Sequence, residues 1–354
     1  MKLNRRFHWK EPNMPLLIGI LIAVAAVTLI VATGLGPVSV SPATTAKILL
    51  HQIPGFGASI PQTWELLEQN IVLGLRLPRV CLGMVVGASL AVCGVSMQAL
   101  VRNNLADPFI LGVSNGAAAF ATLGMLFGAF SFFGTYSLSI SAFLGSAITI
   151  VFVYTISRVR GRINITQLLL SGVAISMIMD GITSVIKLSA PNALGLHNAE
   201  FWMSGSLAGA KWAYLTLPLV VLILCMAILM VNYRGLNLLL LGDESAATLG
   251  INVRRLQKLL VLVASLMAGV TIAVSGSIGF VGLMVPHFTR LLVGGDHKKV
   301  LPLSALLGGI LVVWVDVAAR ILIAPEELPV GILTAIIGGP IFIWMLKRSN
   351  REKA

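Results

Sequence analysis

GFVGLMVPHFTRLLVGGDHKK, residues 279–299, opens as a glycine-spaced apolar segment, breaks at Pro286 and runs through Arg290 into a basic turn. A proline inside an apolar helix removes one backbone hydrogen bond and strains the preceding turn. In lipid this is tolerable only where neighbouring helices or water satisfy the freed groups. His287 and Arg290 follow within a turn, so the segment should not face hydrocarbon. Two readings stand side by side. One is a kinked helix that ends at the membrane surface, with Arg290 snorkelling to water. The other is a functional site, the default for ionisable residues at membrane depth.

The rest of the chain supplies the membrane. Of its 354 residues 57% are hydrophobic and only 11% charged. The mean hydropathy is +0.95. A spanning helix needs about 20 mostly apolar residues, and such runs recur near 14–34, 78–100, 109–130, 136–157, 165–188, 212–233, 259–275, 278–293, 301–323 and 329–346. The first run is too long for a signal peptide and lacks a clean cleavage signal, so it reads as a retained span. The expected fold is an all-α polytopic membrane protein with about ten transmembrane helices. Residues 1–354 should form one transmembrane domain, with a long external loop near 37–70.

The net charge of +12 suggests nucleic-acid binding until its placement is considered. Lys and Arg gather in alternate short loops: Lys2, Arg5, Arg6 and Lys10; Arg102; Arg158, Arg160 and Arg162; the 234–258 segment; the tail. The exceptions are Lys47, Arg76, Arg79, Lys187, Lys211 and Arg320. Under the positive-inside rule this puts both termini in the cytoplasm. Cys81, Cys93 and Cys225 lie in apolar runs and read as small core residues. No G-x-x-x-x-G-K-[ST], HExxH or CxxC occurs. The chain should therefore hold no nucleotide, cofactor or metal and do no covalent chemistry.

Three groups of residues stand out. In the 234–258 segment Gly242 precedes Asp243 and Glu244, acids placed where a helix N-terminus favours negative charge. Ala246, Ala247 and Leu249 follow, and Gly250 suits a helix stop. The segment reads as an exposed docking helix, about 241–252, or as an ordinary solvated loop. Outside, Arg76 and Arg79 sit three apart at a helix start, and Arg320 ends the ninth span on the same side. They could meet carboxylates on an external partner or anchor the interface. Within the membrane, Asp180 and Asp316 read as structural, hydrogen-bonded acids. An ion-coupled secondary transporter would need such groups beside broken helices, and those two acids with the Pro286 kink are its only candidates.

The longer motifs carry a resemblance. They are RLPR at 76–79, GASLAVCGVSMQALVRNNLADPFILGVSNGA at 87–117 and LGDESAATLGINV at 241–253. GFVGLMVPHFTRLLVGGDHKKVLPLSALLGG at 279–309 and ELPVGILTAIIGGPIFIWMLKR at 327–348 complete the set. Together they resemble the FecCD-type permease subunits of ABC importers for iron-siderophores, haem and vitamin B12. One departure is Asn103-Asn104, where many relatives have proline after the first asparagine. The resemblance implies a homodimer or heterodimer of permeases in the bacterial cytoplasmic membrane. It implies two cytoplasmic ATPase subunits, which bind ATP and magnesium, and an external substrate-binding protein. It implies ATPase coupling by Asp243, Glu244, Ala247, Leu249 and Gly250, and binding-protein docking by Arg76, Arg79 and Arg320. Asn115, Gly116, Pro286, His287 and Arg290 become path or gate candidates. The expected cargo is a ferric siderophore, with haem or cobalamin as alternatives.

Overall fold

The computed structural model describes residues 13–38, 40–55, 57, 61–159 and 162–353. Lys2, Arg5, Arg6, Lys10 and Arg160 lie outside the described residues. The chain is almost wholly helical. In order it forms α1 (Met14–Gly34), α2 (Pro42–His51), α3 (Leu66–Asn70), α4 (Leu77–Val101), α5 (Val113–Phe127), α6 (Ser137–Ile156) and α7 (Ile165–Leu188). There follow α8 (Ala193–Met203), α9 (Thr216–Val231), α10 (Tyr233–Leu239), α11 (Asp243–Thr248), α12 (Val253–Ser275), α13 (Val281–Val293), α14 (His297–Ile321) and α15 (Val330–Lys353). A two-residue antiparallel ladder, β1 (Arg158–Val159) with β2 (Arg162–Ile163), joins α6 to α7.

Every expected span contains a helix, but two are short. Among the described residues eight helices are long and apolar enough to cross a membrane. The expected spans at 109–130 and 278–293 contain instead α5, of 15 residues, and α13, of 13. At 1.5 Å per residue α13 reaches only about 20 Å, short of a hydrocarbon core of about 30 Å. The reason is local: left-handed backbone at Gly112 and Gly128 bounds α5, and at Phe280 and Gly294 it bounds α13. The 78–100 span errs the other way. It continues a helix that begins at Leu66 and passes through a π-helical turn at Ile71–Arg76.

α4 is the central post. In its most apolar window 89% of residues are buried, against 17% in α1. α14, α12, α13 and α9 surround it. The large apolar side chains exposed on α1, α7 and α9, such as Ile22, Met177 and Leu224, form the surface that lipid covers. An aqueous protein would not expose that much contiguous apolar area.

Candidate coupling, docking and path sites

α11 is a six-residue helix between two glycine turns. Gly242 and Gly250 both have positive φ, 102° and 87°. Gly250 N donates to Ala247 O and Ile251 N to Ala246 O, the paired bonds of a Schellman stop. Ala246 is buried and pins the helix down. Glu244, Ala247, Leu249 and Gly250 are exposed. Asp243 is half-buried and held by the protein: Arg102 Nη1 lies 3.5 Å from its carboxylate, and Gln257 Nε2 donates to it at 3.3 Å. The helix therefore projects but is fixed at its acidic end.

A polar staple sits behind it. Asn237 of α10 accepts at Oδ1 from His297 N at 2.9 Å and from His297 Nδ1 at 2.7 Å. Its Nδ2 donates to Asp296 Oδ1 at 2.8 Å. Burial pushes the Asp296 carboxylate up, but these donors and the nearby Lys299 and His297 outweigh it and hold it below its usual value. The segment before α11 is thus tied to the N-terminus of α14. Asn237 and His297 were not foreseen in the sequence; a buried histidine beside an N-cap aspartate was the signal available.

Arg76, Arg79 and Arg320, expected outside, do not form an exposed rim. Each is less than a tenth exposed. Arg79 Nε donates to Asp316 Oδ1 at 2.9 Å, and its Nη1 donates to Glu327 at 2.8 Å. Arg320 Nε lies 3.1 Å from Asp316 Oδ2. Its Nη1 and Nη2 donate to Leu35 O and Ala32 O at 3.1 and 3.2 Å. Arg76 Nη1 donates to Gly34 O at 2.8 Å, and its Nη2 to Val38 O. The physical reason is the end of α1. Its last carbonyls lack intrahelical donors and form the negative end of the helix dipole, so two guanidiniums cap them. Asp316 is buried and hydrogen-bonded, as expected from the sequence.

The path candidates separate. Asn115 Nδ2 donates to Asp180 Oδ1 at 2.6 Å, and Ser114 Oγ lies 2.8 Å from Ser277 Oγ. All four line a cavity of about 140 Å³ with Trp202 and Met203. Gly116 does not line it. A Cβ there would fall 2.0 Å from Thr149 Oγ1 and 2.5 Å from Gly145 O, so Gly116 serves the close crossing of α5 and α6.

Pro286 is buried in α13. It withholds the donor that Gly282 O would otherwise receive. Gln98 of α4 fills the gap: its Nε2 donates to Leu283 O at 3.2 Å and reaches Gly282 O at 3.5 Å. Gly94 lets α4 come this close, since a Cβ there would meet Gly282 O at 1.8 Å. Gln98 Oε1 in turn accepts from Arg290 Nη1. Arg290 therefore turns inward rather than snorkelling. His287 is half-buried, its ring edge-on to Phe288 at 6.3 Å. Gln98 was missed in the sequence, although a glutamine inside an otherwise apolar span could have pointed to it.

The FecCD transport family profile matches residues 21–348. The hemin transport system permease protein HmuU of Yersinia pestis is 41% identical over 261 residues, 73% of this chain and 78% of that protein. A Bacillus subtilis (strain 168) protein named as a probable siderophore transport system permease protein, YfhA, is 34% identical over 332 residues, 93% of each chain. A solved inward-facing transporter of the metal-chelate ABC type superposes with a TM-score of 0.81 at 32% identity. That match covers 94% of this chain and 99% of the other. The chain belongs to the FecCD transport family: it is the membrane permease subunit of an ABC importer and not itself an enzyme.

Proposed function

We propose that this permease carries a ferric siderophore across the bacterial cytoplasmic membrane. The match to the relative named as a probable siderophore permease, which runs nearly end to end in both chains, supports this cargo. The whole chain acts as one permease unit and pairs with itself or with a similar second permease. Two cytoplasmic ATPases bind ATP and magnesium and engage α11, and an external binding protein delivers cargo. The exposed, glycine-bounded α11 is the observation that carries the coupling assignment. Glu244, Ala247, Leu249 and Gly250 would form its contact face, with Asp243 held at its start.

ATP-driven closure of the ATPases would shift α11, and the Asn237–His297 staple would pass that shift to α14. The permease contributes a helix packing with two stable states that both partners bias. Asn115 and Asp180 would face the path. Pro286, His287 and Arg290 would shape the α13 segment beside it. Arg76, Arg79 and Arg320 outnumber Asp316 and Glu327, so the outer cluster keeps one positive charge. That charge would orient an acidic binding protein through its field, without direct pairs.

The test is co-purification with the ATPase and binding protein, then uptake of labelled ferric siderophore, haem and cobalamin into proteoliposomes. ATP-dependent uptake of the siderophore alone is expected. Uptake of only haem or cobalamin would overturn the cargo, and uptake driven by an ion gradient without ATP would overturn the coupling.

A further inference from the structure

Between α6 and α12 lies a groove of about 300 Å³. Phe143, Ile150, Val151, Leu262 and Leu266 form apolar walls, and Val151 and Leu262 are exposed at its rim. On α12 the lining runs from Lys258 to Gly269, and on α6 from Tyr154 back to Phe143. Each stretch rises about 16 Å. That is about half of a hydrocarbon core some 30 Å thick, the depth of a single leaflet. The groove thus starts at one membrane surface and stops near the midplane.

Its surface end is cationic. Lys258 is exposed there beside Tyr154. Arg158 places its guanidinium 5.8 Å from the centre of the Tyr154 ring. The ladder that carries Arg158 packs its second strand against α12. Among the described residues neither Lys258 nor Arg158 has a carboxylate partner. A channel one leaflet deep with two unneutralised cations at its mouth matches one kind of occupant. Basic pockets between transmembrane helices hold acidic lipid headgroups.

We propose that the α6–α12 groove is a lipid site, taking one acyl chain of an anionic phospholipid whose phosphate is held by Lys258 and Arg158. The apolar walls bind the chain by burial, which any phospholipid offers. The two cations select the headgroup.

Native mass spectrometry of the full-length permease in detergent tests this, with dioleoyl phosphatidylglycerol and dioleoyl phosphatidylcholine as probes. Phosphatidylglycerol should be retained preferentially. Lys258→Glu, at an exposed position, should weaken that retention by at least about fivefold for the one cation lost, and adding Arg158→Glu should abolish the preference. Ala147→Trp, which fills the groove, should reduce retention of both lipids. Equal retention of the two lipids, or full retention in the Lys258→Glu variant, overturns the proposal. So does efficient cross-linking of Leu262→Cys to its counterpart in a second copy, which would make the groove a protein interface. None of these readouts depends on cargo or ATPase, so failure here leaves the transport reading untouched.

Discussion

Arg79 and Asp316 lie 237 positions apart in sequence, yet Arg79 Nε donates to Asp316 Oδ1 at 2.9 Å inside the protein. The pair joins α4 to α14, and Arg320 shares the same carboxylate. Replacing Asp316 by alanine removes the one carboxylate that both buried guanidiniums share. Breaking such a pair from one side costs about 3–5 kcal/mol, so the Asp316→Ala variant should melt well below the wild type in detergent. The double variant Arg79→Met/Asp316→Leu should melt above that single variant. An Asp316→Ala variant as stable as the wild type would show that the cluster is not structural.

Gln98 and Pro286 should be coupled in the same way. Gln98→Leu leaves the carbonyls beside Pro286 without their donor, at about 1–3 kcal/mol for a buried group. Pro286→Ala restores a backbone N–H for Gly282 O. The double variant should therefore lose less stability than the sum of the two single changes. Strict additivity in thermal melts would separate the two residues.

Asp243→Lys with Glu244→Lys should lower ATPase association and uptake while the permease stays folded, since both acids sit at the N-terminus of α11. Gly250→Val tests the same helix through its backbone. A β-branched residue at φ 87° is strained by about 1–2 kcal/mol, which should fray the stop and weaken ATPase binding with no charge changed. Unchanged pull-down by both variants would remove the coupling assignment.

Docking is best tested at Glu327, whose side chain remains 28% exposed, because changing the buried arginines would first damage the fold. Glu327→Gln adds one net positive charge to the outer cluster. Association of an acidic binding protein should speed up at low salt. The gain should fade above about 0.15 M, where the Debye length is about 8 Å. Slower association would contradict an orienting role for the arginines.

Asp107 gives a pH signature. Burial raises its carboxyl to about 6, partly offset by the hydrogen bond it accepts from Phe109 N. The folded state therefore binds the proton more tightly than an unfolded chain, where an aspartate titrates near about 3.9. Its stability contribution is full below about pH 4 and lost as pH rises through about 6. Melting temperature should show this decline in the wild type, and Asp107→Asn should remove it.

The apolar segments and the helix between Gly242 and Gly250 were legible from the sequence. Hydropathy and glycine stops act over a few neighbouring residues, so they leave a local record. The demand that Pro286 be compensated was legible for the same reason, but the compensating residue was not. Only packing brings Gln98 of α4 onto α13, because which face of one helix meets another depends on side chains far away in the chain. Arg76, Arg79 and Arg320 show this most plainly. Their positions at helix ends suggested a charged rim, whereas the fold turns them inward to the open carbonyls of α1 and the carboxylates of Asp316 and Glu327. Gly116 likewise looked like a path residue until the crossing with Gly145 used it for contact. Local hydropathy was enough to place this chain in a membrane and to mark the eight described helices long and apolar enough to cross it. Tertiary structure alone decided which polar groups satisfy one another there, because in lipid each must find its partner within the protein.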